Sequence, residues 1–187
     1  YLGIARDEPG ATRNIFAKAL EHDIIISTGG VSLGKYDFVQ EVVEGLGLEI
    51  AIQGVRIKPG RPMTFGTTGS TLFFGLPGNP VSTMVTFMQF VRPALLKMGG
   101  AQRIVKPTIP AFIKDAIIKR PGRREYIRGT YSIENGHVVV KTTGPQGSGI
   151  LRSMSRANCL IIVPEDVSEC KKGDRVIIQL IHHEEIM

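Results

Sequence analysis

A short apolar run that leads into a glycine-rich segment constrains this chain more than any other feature. Residues 24–27 form the run, three glycines follow before residue 35, and apolar residues then recur at helical spacing over residues 38–46. An unbroken apolar run is typical of a central parallel strand covered on both faces. The pattern therefore predicts strand, loop and helix in succession, as in an open, mostly parallel α/β sheet with flanking helices and right-handed crossovers.

The rest of the first half continues this alternation. A short apolar strand is predicted at residues 2–6, and Pro9 suits the first turn of the helix that follows it. Further strands are predicted at residues 48–57, 63–65 and 71–74. A long helix should start at Pro80, with a kink at residues 89–92 because Pro93 removes one backbone hydrogen bond and crowds the preceding turn. The apolar residues expected on its buried face are Val81, Met84, Val85, Met88, Val91 and Leu95.

The second half has the pattern of an all-β domain. Short strands are predicted at residues 108–119, 124–133, 137–142, 159–163 and 175–181, and residues 150–158 read as a short helix. Asn135 and Gly136 are a strong signal for a tight hairpin turn. The sequence thus predicts two domains, residues 1–100 (partial α/β) and 101–187 (a small β-barrel or sandwich), joined by a linker at residues 99–107.

Composition narrows the class of protein. Hydrophobic residues make up 42% of the 187, enough to bury a core, and no apolar run is long enough to span a membrane. Two cysteines are too few for a disulfide scaffold, so a reducing, cytoplasmic location is the expectation. The chain starts at a tyrosine that reads straight into a strand, which we interpret as a piece of a longer protein. The net charge of +6 lies mostly in residues 101–187, where 14 Lys and Arg face 9 Asp and Glu, and such a surface attracts anions.

Residues 27–37 are the first candidate site. Glycines let a backbone turn tightly and present N–H groups outward, and the next helix adds partial positive charge at its start. The candidate contacts for an anion are Gly29, Gly30, Ser32 and Gly34, at the edge of the sheet where open α/β folds bind ligands. The alternative is an ordinary glycine-rich connection between a strand and a helix.

Two carboxylates are expected near that edge. Asp7 follows the first predicted strand and Asp37 follows the glycines. A carboxylate beside a phosphate cradle is repulsive unless a cation lies between them, and Mg²⁺ takes one or two carboxylates together with ligand phosphates. In the alternative interpretation Asp37 caps the second helix, and Asp7 or Glu8 caps the first.

A proline-stiffened basic turn is the third candidate. Lys58 and Arg61 lie three residues apart in KPGRP, residues 58–62, and two such cations form a preorganised clamp for an anion. The alternative is a basic surface turn. The arginines at 120, 123, 124 and 128 likewise suit either an anion site or a solvated strand edge.

The fourth candidate is GLPGNPVS, residues 75–82. Asn79 is a good helix N-cap and Pro80 fits the first helical position. The N–H groups of Gly78 and of the turn that ends at Ser82 could bind a second anionic group. Capping and ligand binding do not exclude each other here.

The motifs at residues 29–37 (GGVSLGKYD), 58–62 and 75–82 together resemble the MoeA family, the molybdopterin molybdenumtransferases, which are related to the gephyrin E domain. The resemblance covers nearly the whole chain. It implies a partial molybdopterin-binding α/β domain followed by a small C-terminal β-barrel. It also implies transfer of molybdate into adenylylated molybdopterin with release of AMP, aided by Mg²⁺ or a similar divalent cation. It further implies a homodimer of the full-length protein, a cytoplasmic location and contact with the preceding pterin-adenylylating enzyme.

The resemblance also implies roles for individual residues. Asp7 and Asp37 match acidic residues that handle metal and molybdate, and Lys58 and Arg61 match the basic turn that lines the site. The remaining matches concern the shape and lining of the cleft: Pro77, Pro80, Arg128 and Ser148. Two departures are Arg61, where lysine is common, and Gly54, where some members carry a further lysine.

Two other function classes remain at this stage. A non-catalytic binding or scaffold module could use the same fold, and a basic barrel could bind nucleic acid. Stacking platforms for single strands are scarce, since the chain has no Trp and four Tyr, so no nucleic-acid partner is expected. The tract at residues 182–185 resembles a metal-binding run, but we interpret it as a solvated tail. Neither cysteine has the partners of a catalytic nucleophile. Cys159 is expected to be buried and Cys170 exposed.

Overall fold

The computed structural model describes residues 1–30 and 38–181, apart from the side chain of Phe38. The helices are α1 Pro9–Ala19, α2 Phe38–Glu44, α3 Pro80–Thr86, α4 Arg92–Met98 and α5 Leu151–Ser155. The strands are β1 Ile24–Thr28, β2 Glu49–Gln53, β3 Ile57–Lys58, β4 Thr64–Thr68, β5 Thr71–Leu76, β6 Thr108–Ile113, β7 Ile117–Ile118, β8 Arg124–Glu134, β9 His137–Thr142, β10 Cys159–Val163, β11 Glu169–Cys170 and β12 Arg175–Leu180. The chain forms two compact units: the α/β unit (residues 1–55 and 60–87) and the barrel unit (residues 56–59 and 88–187).

The sheet of the α/β unit is mixed. Its strand order is β1-β5-β4-β2, with β1 and β5 parallel and the other two pairings antiparallel. The prediction of a mostly parallel sheet is therefore not confirmed. The reason is local, because only Gly69 and Ser70 separate β4 from β5, and so short a connection can join only antiparallel strands.

The first predicted strands also differ from the structure. Residues 2–6 form no strand, and Ile4 is 86% exposed. Within the described chain β1 pairs only with β5, which makes β1 an edge strand rather than a central one, and Ile26 is 40% exposed. A strand requires a hydrogen-bonding neighbour, and no described segment lies beside β1 on its other side.

The core of the α/β unit lies between the sheet and the first two helices. Phe16 of α1 meets Phe73 of β5 edge to face, with ring centroids 5.8 Å apart. Ile25 of β1 and Val43 of α2 are buried in the same cluster. This packing fixes β1 and β5 side by side, and both strands lead into the candidate loops.

The helix that starts at Pro80 is interrupted where the sequence predicts. A π-helical turn at Phe87–Val91 separates α3 from α4 and ends two residues before Pro93. Proline has no N–H for the carbonyl four residues earlier, so a wider turn absorbs the missing bond. Of the predicted buried face, Val81, Val85 and Val91 are fully buried. Met84 and Leu95 are partly exposed. In the described ranges, no helix is long and apolar enough to cross a membrane.

The barrel unit contains a closed five-stranded barrel. The strands run β10-β12-β6-β9-β8, and β8 pairs with β10 to close the ring. The β8–β9 hairpin turns at Asn135 and Gly136, both with positive φ, as their sequence predicts. Of the two predicted architectures, the barrel is correct. Strand β3 adds to the long strand β8 in parallel register.

Candidate functional site

Two of the predicted loops meet at the carboxyl ends of β1 and β5. The parallel register places Thr28 opposite Leu76, and the Gly29 N–H donates to the Leu76 carbonyl at 2.9 Å. A Cβ on Gly78 would lie 3.5 Å from the Gly29 Cα, in ordinary contact. The glycine loop and the Pro-Gly-Asn-Pro loop thus lie side by side at one edge of the sheet.

Backbone donors are free at this junction. The N–H groups of Gly30, Gly78 and Asn79 donate to no acceptor in the described parts of the chain, and all three residues are exposed. Three N–H groups on two adjacent turns are suited to an anionic ligand, because amide dipoles attract negative oxygens without adding a full charge.

Asn79 and Pro80 occupy the N-cap and first position of α3, as predicted, but the Asn79 side chain makes no capping bond. The Thr83 hydroxyl instead donates to the Pro77 carbonyl, and it lies 3.0 Å from the Asn79 carbonyl oxygen. The Asn79 amide is therefore available to a ligand. Pro77 and Ser82 are buried, and they shape the loop from beneath.

Ser27 is the first residue of the candidate segment 27–37, but it was not among the predicted contacts for an anion. Its Oγ is buried and has no hydrogen-bond partner among the described residues. Side chains alternate along a strand, so Ser27 lies on the same face as Ile25, opposite Gly75 in the register. The only signal in the sequence is a hydroxyl that ends an apolar run, two residues before Gly29.

The predicted acid pair is described only in part. Ser32, Gly34 and Asp37 lie outside the described residues. Asp7 is exposed just before α1, where Glu8 is the N-cap residue and makes no side-chain capping bond. The Asp7 carboxylate forms no hydrogen bond or ion pair with a described residue, so it is available as a ligand. In the ranges that the structure covers, no group of three or more His, Cys, Asp or Glu side chains is suited to hold a metal ion.

Lys58 has a partner that the sequence did not reveal. Its Nζ lies 3.1 Å from Glu125 Oε1, and the two residues face each other in the β3–β8 pairing. The Glu125 side chain is 10% exposed and that of Lys58 is 49% exposed. Half of the Lys58 surface thus stays open to solvent while the ion pair fixes its position. Arg61, in the α/β unit, is exposed, and its carbonyl accepts the Val55 N–H.

Arg128 is almost fully buried, with 1% of its surface exposed. Its guanidinium donates to the Ser153 hydroxyl and to the Gly147 carbonyl, each at 3.1 Å. Burial lowers the pKa of Arg128, because the charged form loses solvation. Both acceptors belong to the segment that follows β9, so Arg128 attaches that segment to β8, while Ser148 is half-buried within it.

Neither cysteine is poised as a nucleophile. Cys159 is buried as predicted, and burial raises its pKa to about 12. The prediction that Cys170 is exposed is wrong, since Cys170 is buried in the core cluster of the barrel unit, and its pKa is raised chiefly by burial. Thiols with raised pKa values stay protonated at neutral pH.

Gly29 carries a conformational demand that can be tested. Its φ is +82°, a region that L-residues adopt at a cost, whereas Gly78 has no positive φ. We expect Gly29→Ala to lower the free energy of unfolding by about 1 kcal/mol. Gly78→Ala, with its Cβ at ordinary contact distance, should change it little. Urea unfolding of the two variants measures the difference, and equal stabilities would contradict the strained turn.

The chain matches known protein families over most of its length. Residues 1–97 match the family described as "Probable molybdopterin binding domain", and residues 111–181 match "MoeA C-terminal region (domain IV)". These matches flank the predicted linker at residues 99–107. Together with the fold they define a chain in which a domain of the probable molybdopterin-binding family precedes a MoeA-type barrel. The chain belongs to the MoeA family.

Individual relatives cover nearly all of this chain. The molybdopterin molybdenumtransferase of Haemophilus influenzae is 35% identical over 97% of this chain and 46% of its own length. Gephyrin of Dictyostelium discoideum is 37% identical over 85% of this chain and 25% of its own. The crystal structure of the molybdopterin biosynthesis moeA protein from Pyrococcus horikoshii OT3 superposes with a TM-score of 0.73 at 33% identity, covering 96% of this chain and 41% of that one. The chain spans less than half the length of these relatives.

Proposed function

We propose that this chain takes part in molybdenum cofactor biosynthesis as part of a molybdopterin molybdenumtransferase, which transfers molybdate into adenylylated molybdopterin and releases AMP. The observation that carries the proposal is the junction of the two loops, where the Gly29 N–H meets the Leu76 carbonyl and Gly78 approaches Gly29. The names of two relatives, the transferase of H. influenzae and the moeA protein of P. horikoshii, support it.

The free amides at the junction would hold the anionic part of the substrate. A pyrophosphate-containing ligand needs several donors on a preorganised backbone, and Gly30, Gly78 and Asn79 supply them on exposed turns. The Asn79 side chain adds a donor and an acceptor for a polar ring or ribose. Because these groups are held before the ligand arrives, little ordering entropy is lost on binding.

Asp7 and Asp37 would hold Mg²⁺ in this proposal. The exposed Asp7 carboxylate has no partner among the described residues and so fits a hard cation. Bound there, the ion would polarise phosphate or molybdate oxygens. The protein's own contribution is to keep one carboxylate at the start of α1 and to place the other after the glycine loop.

Lys58 and Arg61 would attract the incoming oxyanion. Lys58 combines an exposed half with a fixed position, since Glu125 holds its ammonium at 3.1 Å. Catalysis would then consist mainly of positioning and electrostatic stabilisation, without a covalent nucleophile. A homodimer, a contact with the pterin-adenylylating enzyme and a cytoplasmic location belong to the same proposal.

The acid pair provides the test. We expect adenylylated molybdopterin to bind the wild-type chain more tightly with Mg²⁺ than without it, as measured by titration calorimetry. Asp7→Asn and Asp37→Asn should each remove the gain due to Mg²⁺, a loss of about tenfold or more. Asp166→Asn removes one exposed carboxylate from the barrel unit and should leave binding unchanged. A wild-type chain that binds no pterin nucleotide would refute the proposed function, and an unaltered Asp37→Asn would remove that residue from it.

A further inference from the structure

We infer that Gln146 is a positioning residue. Its side chain hydrogen-bonds the loop after β9 to strand β8 and so sets the position of Ser148. The inference rests on the proposed function and on the resemblance, which implies that Ser148 lines the cleft. Gln146 itself would touch no substrate. It would act through the loop that carries Ser148.

The Gln146 amide is fully engaged with backbone groups. Its Oε1 accepts the Arg128 N–H at 2.9 Å, and its Nε2 donates to the Arg128 carbonyl at 3.2 Å and to the Gly144 carbonyl at 2.8 Å. The first two bonds form the pattern that a neighbouring strand would form with β8. The side chain therefore continues the sheet at a point where the loop has left it.

Arg128 of β8 also holds the loop through its own side chain and through its carbonyl. The Arg128 guanidinium donates to the Gly147 carbonyl at 3.1 Å, one residue before Ser148. The Thr143 N–H donates to the Arg128 carbonyl at 2.9 Å. Contacts to Arg128 thus fix the loop at Thr143, Gln146 and Gly147.

The loop needs such contacts, because it has little regular structure of its own. Residues 143–150 form no helix or strand, and Gly144 has a φ of +93°. Ordering an irregular segment costs conformational entropy at every residue, so a loop without tertiary bonds samples many positions. Ser148 sits between two glycines and forms no hydrogen bond to a described residue, so its position depends on how the loop is held.

A second amide side chain of the barrel unit makes the same kind of paired hydrogen bonds to the backbone of β8. Asn158 accepts the Tyr131 N–H at 2.8 Å and donates to the Tyr131 carbonyl at 3.0 Å, also on β8. Like Gln146, Asn158 is half-buried. It holds the chain between α5 and β10 rather than the loop of Ser148, so it provides a control that breaks the same kind of contact.

The test compares Gln146→Ala with Asn158→Ala in this chain. Hydrogen exchange should be about tenfold faster in Gln146→Ala only, at the amides of Arg128 and Thr143, which are hydrogen-bonded between β8 and the loop. Titration with molybdate alone should show about tenfold weaker binding in the same variant. This is the lower end of the loss in affinity that follows when residues supporting metal-ligating side chains are replaced. The melting temperatures of both variants should fall by similar amounts. A loss of molybdate affinity in Gln146→Ala alone then results from the position of the loop and not from general destabilisation.

The outcomes are distinct. Unchanged exchange at Thr143 in Gln146→Ala would overturn the inference, and so would equal losses of molybdate affinity in the two variants. If the wild-type chain binds no molybdate while Gln146→Ala alone frees the loop, the proposed function fails and the positioning by Gln146 stands.

Discussion

Replacing Gly66 by alanine is expected to lower the free energy of unfolding by about 3 kcal/mol. Gly66 lies on β4, between Ile50 of β2 and Phe73 of β5. A Cβ at this position would lie 2.6 Å from the Glu49 carbonyl oxygen. Because that oxygen belongs to the backbone, it cannot move aside without disturbing the β2–β4 pairing.

Gly10 provides the matched control for this prediction. It lies in the first turn of α1, has no positive φ, and a Cβ there would meet no atom within 4 Å. Gly10→Ala should stabilise the protein by about 0.5–1 kcal/mol, since alanine favours the helix and restricts the unfolded chain. Urea unfolding followed by circular dichroism measures both variants. Equal stabilities of Gly66→Ala and the wild type would contradict the close approach of β2 and β4.

Lys58→Met is expected to lower the free energy of unfolding by about 2 kcal/mol. The substitution removes the cation at 3.1 Å from Glu125 and leaves a carboxylate that is only 10% exposed without its partner. Breaking a fully buried pair costs roughly 3–5 kcal/mol, and the half-exposed Lys58 side chain reduces that figure. Thermal unfolding measures the loss.

A second ion pair of the barrel unit tests whether burial is the cause. Lys114 and Glu134 lie 2.6 Å apart, but their side chains are 44% and 46% exposed. Lys114→Met should therefore have little effect on stability, because water solvates the remaining carboxylate. The double replacement of Lys58 and Glu125 by apolar residues should recover most of the stability lost in Lys58→Met. Equal losses in Lys58→Met and Lys114→Met would show that the burial of Glu125 does not matter.

The features that the sequence predicted correctly depend on neighbours in the chain. The positions of β8 and β9 follow from short β-rich segments on either side of Asn135 and Gly136. The π-helical turn follows from one missing N–H at Pro93. The beginning of α3 follows from Asn79 and Pro80, although the Asn79 side chain makes no capping bond.

Most of the errors concern pairing between distant segments. An apolar run at β1 predicts a strand but does not state what lies on either side of it, and β1 proves to be an edge in the described chain. The error at β4 and β5 is local instead, because a two-residue connection makes them antiparallel where a mostly parallel sheet was predicted. Residues 2–6 have the apolar character of a strand and no described partner.

The amino-acid sequence by itself determined which short segments carry the chemistry: the glycines at residues 29 and 30, the turn at 58–62 and the loop at 75–82. Only the tertiary structure decided which of them meet and which charges are compensated. Gly29 lies beside Gly78 because β1 and β5 pair, and Lys58 faces Glu125, 67 positions further along the chain, because β3 joins β8. Local propensity acts over a few residues, whereas such contacts depend on how strands pair and cores pack, so no motif in the sequence specifies them.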